Sequence, residues 1–316
     1  MSVSWTSDQM PDCTDKTVLI TGANSGLGFE ATKAFADKGA TIIMACRSID
    51  RGQQAATDIN TTLGETGGTL NVRQCDLASL DSVATFTEGV TDDYDKLDIL
   101  CNNAGVMAIP RQETEDGFEK QLGVNHLGHF ALTGHLLDLL LDSEGESRIV
   151  THSSGAHEAG AMNFDDLHRE QSYGKWEAYG QSKLANLLFA YELQRRLAAN
   201  DITDTISVAC HPGYAATNRQ YRGPEESGAK IRLAMMKLAN TVVAQSAAKG
   251  VLPLLYAATA DGVDGGDYYG PSGFNDMRGP PEQQTSNDAS YDKQDADQLW
   301  KTSEELTGVS YSDSLR

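Results

Sequence analysis

Thr17-Val18-Leu19-Ile20 runs directly into Thr21-Gly22-Ala23-Asn24-Ser25-Gly26-Leu27-Gly28, and the reading of this stretch decides the fold. The first four residues are β-branched or apolar, as a buried strand requires. Phe29-Glu30-Ala31-Thr32-Lys33-Ala34-Phe35-Ala36 follows with helical character. Strand, glycine-rich turn and helix in that order form a dinucleotide site. The glycines let backbone N–H groups approach a pyrophosphate, and the helix N-terminus adds its partial positive charge. The spacing is TGxxxGxG rather than GxGxxG, and glycine-rich turns also serve plain tight turns. The strand and helix on either side favour nucleotide binding.

Two further stretches point to chemistry. Tyr179-Gly180-Gln181-Ser182-Lys183 places a phenol and an ammonium on one face of a helical segment. A fixed ammonium favours the phenolate of a tyrosine, whose pKa is otherwise ~10. Such a phenol exchanges a proton with an alcohol or ketone oxygen near neutral pH. The YxxxK pattern alone is weak, because a surface lysine beside a half-buried tyrosine is common. Arg148-Ile149-Val150-Thr151-His152 reads as another strand, ending in Ser153-Ser154-Gly155. Ligands bind at the carboxyl ends of strands in open parallel sheets, so Ser154 lies where a hydroxyl holds a substrate oxygen beside Tyr179. The plain alternative is that both serines only cap the turn.

The combination resembles the short-chain dehydrogenase/reductases, in their shorter single-domain branch, from about Lys16 to Gly270. TGANSGLG is similar to the family's cofactor loop, which implies contacts from Gly22, Asn24, Ser25, Gly26, Leu27 and Gly28. Cys75-Asp76-Leu77 resembles its adenine contact, through Asp76 and Leu77. Asn102-Asn103-Ala104-Gly105 resembles its NNAG element, which implies Asn103, Ala104 and Gly105 at the cofactor. Asn125, Ser154, Tyr179 and Lys183 match the catalytic tetrad, and His211-Pro212-Gly213 with Thr217 matches the motif that cradles the nicotinamide end. Ala45-Cys46-Arg47-Ser48, Tyr179 through Asn186 and His211-Pro212-Gly213 look most like retinol dehydrogenase-type reductases.

The resemblance implies that Tyr179 is the general acid in carbonyl reduction and the base in alcohol oxidation. Lys183 lowers the Tyr179 pKa and binds the nicotinamide ribose, Ser154 polarises the substrate oxygen, and Asn125 positions a relay water. Nicotinamide selectivity turns on the end of the strand Thr41–Arg47. An acid there accepts from a ribose 2′-OH, whereas an arginine accommodates a 2′-phosphate. Cys46 stands in the acid's place and Arg47-Ser48 follow, which points to NADP(H). A plain surface arginine is the other reading. The expected activity is interconversion of an apolar alcohol with its aldehyde or ketone. The alternative is a non-catalytic, regulatory nicotinamide nucleotide-binding protein, which has no need of all four tetrad residues. Sugar-nucleotide epimerases generally show TGxxGxxG and a larger C-terminal domain, and neither is present here.

Helical stretches are expected at Asp50–Leu63, Ser79–Thr91, Gly117–Asp142, Lys175–Asn200, Gln245–Thr259 and Asp292–Leu306, and further strands at Leu70–Gln74, Leu97–Cys101, Thr205–Cys210 and Asp267–Gly270. Seven strands alternating with helices predict an α/β fold with a doubly wound parallel Rossmann sheet in a single domain, residues 1–316. Its core spans about 16–270. A substrate-covering insertion occupies 221–243, where Ile231, Met235 and Leu238 at helical spacing suit an apolar substrate or an amphipathic helix packed on the body. The tail, 271–316, shapes the pocket or a subunit interface. By family resemblance, Gly117–Asp142 and Lys175–Asn200 pair subunits into a dimer or tetramer. His126, His129 and His135 show no HxxxH pair, so no metal is expected, and His157 is a candidate for lining the pocket.

Five cysteines without a CxxC pattern suit a reducing compartment. No apolar run spans a membrane and no signal pattern opens the chain, so a soluble, cytoplasmic protein is expected. A net charge of −20, from 45 acidic against 25 basic residues, argues against nucleic acid and anionic membranes as partners. A dense carboxylate shell remains soluble where salt screens charge within a few Å, which suggests a salt-loving source; an ordinary acidic bacterial protein is the alternative. Thermal unfolding measured against KCl concentration should show a melting temperature that rises with salt. Full stability and activity in dilute buffer would sink the halophile reading.

Overall fold

Val18, Leu19 and Ile20 are completely buried, as expected of a central parallel strand covered on both faces. They belong to β1 (Thr17–Thr21) in this computed structural model, which describes residues 4–64, 67–213, 246–273, 276–312, 314 and 315. The other strands are β2 (Thr41–Cys46), β3 (Thr69–Gln74), β4 (Ile99–Asn102), β5 (Ser147–His152), β6 (Thr205–Cys210), β7 (Tyr268–Gly273) and β8 (Arg278–Gln283). They lie in the order β3-β2-β1-β4-β5-β6-β7-β8. The chain therefore winds outward in both directions from the β1–β4 junction, and the crevice at such a switch point is where open α/β sheets take ligands.

The sheet has eight strands rather than the expected seven. The extra one, β8, pairs antiparallel with β7 at the sheet edge. Its sequence Arg-Gly-Pro-Pro-Glu-Gln conceals it, since proline cannot donate to a ladder. An edge strand tolerates that loss because one side has no neighbour.

Two helical layers cover the sheet. On one side α1 (Gly26–Asp37), α2 (Ile49–Leu63), α7 (Ala247–Gly250) and α8 (Leu252–Thr259) enclose a core including Phe35, Ile59 and Leu254. On the other side lie α3 (Leu80–Asp93), α5 (Gly128–Leu141) and α6 (Lys175–Ala199), packed through Phe86, Phe130 and Phe189. The single helix expected over Gly117–Asp142 is interrupted. A short α4 (Lys120–Leu122) leads into a π turn at Gly123–Leu127 before α5 begins. Glycines flank that turn because neighbours crowd it: a Cβ on Gly128 would meet the Leu77 carbonyl oxygen at 2.5 Å. π turns recur at functional sites, and this one carries Asn125.

The tail folds back on the outer helices. In α9 (Lys293–Thr307), Trp300 packs edge-on to Phe130 at 5.2 Å and stacks on Phe189 at 5.9 Å. Tyr311 donates to the Phe130 carbonyl at 2.7 Å. A side chain on Gly134 would collide with Val309 and Tyr311, so the tail lies directly on α5. The face of α5 and α6 under α9 and Tyr311 is thus occupied by the chain itself. No helix among the described residues is long and apolar enough to cross a membrane.

His126 shares a hydrogen bond with Ser303 of α9, Nε2 to Oγ 2.8 Å. Burial lowers its pKa to about 3, and burial above all lowers that of His211 to about 4, against the ordinary 6.5. The unfolded chain binds protons at these imidazoles below about pH 6.5, where the native state does not. The unfolded state then holds more protons, so stability falls as pH drops from 6.5 toward 4. The urea midpoint should be lower at pH 5 than at pH 7, with a smaller difference in His126→Gln. Equal midpoints at the two pH values would contradict this.

Candidate active site

At the carboxyl ends of β1 and β4 opens a cleft with a cavity volume of about 130 Å³. Gly22, Asn24 and Ser25 form one wall, Asp76 and Leu77 a second, and Ala104 and Gly105 a third. The glycine-rich loop takes this shape for two reasons. Gly26 is left-handed at φ +57, a conformation that favours glycine. A Cβ on Gly28 would press into the Gly22 carbonyl oxygen and come within 2.7 Å of Asn103 Nδ2. Asn103 Nδ2 in turn donates to the Thr21 carbonyl at 2.7 Å. Gly26, Leu27, Gly28 and Asn103 build the loop from behind and are not among the cleft-lining residues.

Arg47 lies at the cleft, and two cations missed in the sequence, Arg51 and Lys120, join it. Arg51 stands in the first turn of α2, whose N-cap is Ser48. The pairing of Arg47 and Arg51 across that cap was readable as two cations at one strand end. Lys120 comes from a distant helix and left no local signal. Ser48, expected at the cofactor, instead accepts from the Arg51 N–H at 3.5 Å and is absent from the cleft lining. Asp76 turns Oδ1 to the Ala78 N–H at 3.0 Å, which shapes the second wall.

None of the four tetrad candidates is among the cleft-lining residues; they are tied to one another, and through Asn125 to the lining residue Val106, by neighbouring groups. Asn125 is fully buried, and its amide clamps Val106, with Oδ1 accepting from N–H at 2.8 Å and Nδ2 donating to the carbonyl at 3.0 Å. Nδ2 also donates to Ser182 Oγ at 2.9 Å, and that hydroxyl donates to the Tyr179 carbonyl at 2.8 Å. Lys183 Nζ lies over the Tyr179 ring, 6.0 Å from its centroid. The same Nζ donates to the His152 carbonyl at 2.9 Å, where Asn186 Nδ2 also donates at 2.9 Å. Ser153 Oγ donates to the Lys183 carbonyl at 2.8 Å. The end of β5 is thereby fixed against α6, and Ser154 follows immediately, capping the turn Gly155–Ala159.

Other expectations fare differently. His157 is buried and does not line the open cleft; Nδ1 bonds the Ser154 carbonyl at 2.7 Å and the ring meets Tyr268 edge-on. It braces the Ser154 turn. Pro212 and Gly213 leave the end of β6 and are absent from the cleft lining. Thr217 and the insertion 221–243 lie outside the described residues. Glu119 caps α4 by accepting from the Leu122 N–H at 2.8 Å. Burial raises the pKa of this carboxyl, against the hydrogen bonds it accepts.

A doubly wound parallel sheet with a cleft at its switch point is the arrangement of the dinucleotide-binding α/β proteins. Residues 16–226 match the short chain dehydrogenase family. The chain is 39% identical to retinol dehydrogenase 14 of Mus musculus over 306 residues, 93% of this chain and 86% of that protein. It is 36% identical to retinol dehydrogenase 12 of Homo sapiens over 306 residues, 96% and 89% of the two chains. The structure of an uncharacterized protein from Mycobacterium Paratuberculosis superposes with a TM-score of 0.79 at 38% identity, covering 98% and 99%. A short chain dehydrogenase from Shigella flexneri 2a strain 301, complexed with NADP, shares the fold at a TM-score of 0.61 and 24% identity, covering 82% and 98%. The chain belongs to the short-chain dehydrogenase family and is an oxidoreductase of that family.

The crowding at Gly28 gives a direct test of the loop. Gly28→Ala should abolish binding of a nicotinamide dinucleotide, measured by calorimetry, while circular dichroism stays native. Undiminished affinity would mean that the loop does not hold the pyrophosphate.

Proposed function

We propose that the protein is an NADP(H)-dependent oxidoreductase interconverting an apolar alcohol and its aldehyde or ketone. The observation that carries this reading is the buried Tyr179–Lys183 pair, linked through Ser182 to Asn125, whose amide holds the cleft-lining Val106. The glycine loop fits a dinucleotide, since the close approach at Gly28 leaves backbone of the turn open to a pyrophosphate. Arg47 and Arg51 at one end of the cleft suit a 2′-phosphate, because guanidinium forms charge-assisted hydrogen bonds with it. Cys46, fully buried, leaves no carboxylate at the end of β2 to repel that phosphate.

The nicotinamide, when bound, supplies or accepts the hydride. The protein's part is position and proton transfer. Tyr179 would donate its phenolic proton to a carbonyl oxygen in reduction and take the hydroxyl proton in oxidation. The Lys183 ammonium near the ring favours the phenolate and so brings that exchange toward neutral pH. Ser154 would hold the substrate oxygen by hydrogen bonding. Asn125, clamped to Val106 and Ser182, would fix the turn through which protons reach Lys183. An apolar substrate follows from the likeness to proteins named retinol dehydrogenases.

The test follows the NADPH absorbance band against a panel of apolar aldehydes, ketones and alcohols, with NADH in parallel. Wild type should turn over with a preference for NADPH, Arg47→Ala should lose much of that preference, and Tyr179→Phe should bind NADPH yet lose nearly all turnover. Wild-type rates in Tyr179→Phe would refute the proton-transfer role. NADPH binding without turnover on any substrate would favour a regulatory nucleotide-binding protein.

A further inference from the structure

His129, in the first turn of α5, is 2% exposed and uses both ring nitrogens. Nδ1 lies 3.0 Å from the carbonyl oxygen of Asn125, and Nε2 lies 2.9 Å from Thr21 Oγ1. A carbonyl only accepts, so Nδ1 carries the proton. A neutral imidazole then has Nε2 as an acceptor, and the Thr21 hydroxyl is its donor. The partners of Thr21 agree with this assignment. Its Oγ1 accepts from the Ala104 N–H at 2.9 Å and from the Asn103 N–H at 2.9 Å, the latter shared with the Cys101 carbonyl at 2.8 Å, which occupies both lone pairs. Its one proton has a longer alternative acceptor, the Cys101 carbonyl at 3.3 Å. A doubly protonated imidazole would bring a third donor to an oxygen with two lone pairs, so the network selects the neutral ring.

These bonds close a ring through the floor of the cleft. Thr21 holds the Asn103–Ala104 peptides, and Ala104 leads two residues on to Val106. Val106 is clamped by the Asn125 side chain, the Asn125 carbonyl takes the His129 proton, and His129 returns to Thr21. Thr21, Ala104 and Val106 all line the cleft. The Asn125 amide leads out of the ring, through Ser182, to the backbone of Tyr179.

We propose that His129 is a positioning residue that couples the cofactor-binding wall to the π turn carrying Asn125. The proposal rests on the functional reading above. One end of the imidazole sets the Thr21–Ala104 wall that the dinucleotide meets. The other sets the backbone of Asn125, and through it the proton-transfer machinery. The two ends are separable by substitution. Glutamine can reach Thr21 at the position of Nε2 but loses the Asn125 bond. Asparagine keeps a donor at the position of Nδ1 but falls short of Thr21. Leucine removes both.

The experiment measures NADPH affinity, kcat, KM and melting temperature for wild type and the three variants. His129→Gln should bind NADPH within roughly twofold of wild type while kcat falls about tenfold or more, since small misplacements of reacting groups are costly. His129→Asn should show the reverse, with NADPH bound roughly fivefold more weakly, as for one lost hydrogen bond, and kcat restored to within a few-fold. His129→Leu should lose both. If the variants instead lose affinity and kcat in one proportion that tracks melting temperature, His129 is only structural and the proposal fails. Unchanged values in His129→Leu would also overturn it. If wild type binds NADPH but turns over nothing, the functional reading fails, whereas the affinity difference between the glutamine and asparagine variants still decides the coupling. A wild type that binds no NADPH defeats both.

Discussion

An ammonium buried inside the fold is the constraint on which the rest of the site depends. Lys183 is 1% exposed, and a charge withdrawn from water costs several kcal/mol unless it is hydrogen-bonded. The His152 carbonyl, at the end of β5, meets that need. It is available because β5 ends at His152 and its chain turns away at Ser153 and Ser154. Asn186 shares the same carbonyl from one turn further along α6, and Ser153 returns a bond to the Lys183 backbone. Strand end and helix are therefore locked in one register. Ser154 and Tyr179 take their places as consequences of that lock, because each lies within a turn of a bonded residue.

Helix α6 must also be held from outside, and here the chain supplies its own support. Trp300 and Tyr311 cover Phe189 and Phe130, and Ser303 bonds His126, the immediate neighbour of Asn125. Burial of two large aromatic side chains contributes on the order of 1.5–3 kcal/mol each by area transfer alone. The arrangement makes the two site-bearing helices depend on the tail of the same chain. The tail was the part of the chain whose purpose its sequence did not disclose. Pro, Gly, Asn and Gln dominate its first half, and nothing local tells where a returning helix will land.

The central sheet was legible because parallel strands buried on both faces must be continuously apolar, and Val18–Ile20 and Ile42–Met44 are. The placement of the tetrad candidates in the fold was legible because each motif has a fixed local frame, strand end for Ser154 and helix face for Tyr179 and Lys183. Four features were not. The π turn at Gly123–Leu127 has no local sequence signature; it shows in the backbone, where the Gly128 N–H donates to the Gly123 carbonyl five residues back. Strand β8 is written in prolines. Lys120 reaches the cleft from a helix far along the chain, a proximity that no sequence spacing encodes. His129 was noticed only as one of three histidines on a helix; its meaning lies in Thr21, over a hundred residues away.

The distribution of charge bears on how such a site would find its ligand. The chain carries −20 overall, yet its cleft gathers Arg47, Arg51 and Lys120. At low ionic strength the surrounding carboxylates repel a polyanionic dinucleotide over a Debye length of about 10 Å at 0.1 M salt, opposing these cations. At about 1 M salt the length shrinks to roughly 3 Å, and the distant carboxylates cease to matter. Guanidinium in direct contact with phosphate is screened far less than charges separated by water. Cations at the cleft would therefore retain their hold on a phosphate while the repulsion from the chain's net negative charge fades, because the one acts by contact and the other through solvent.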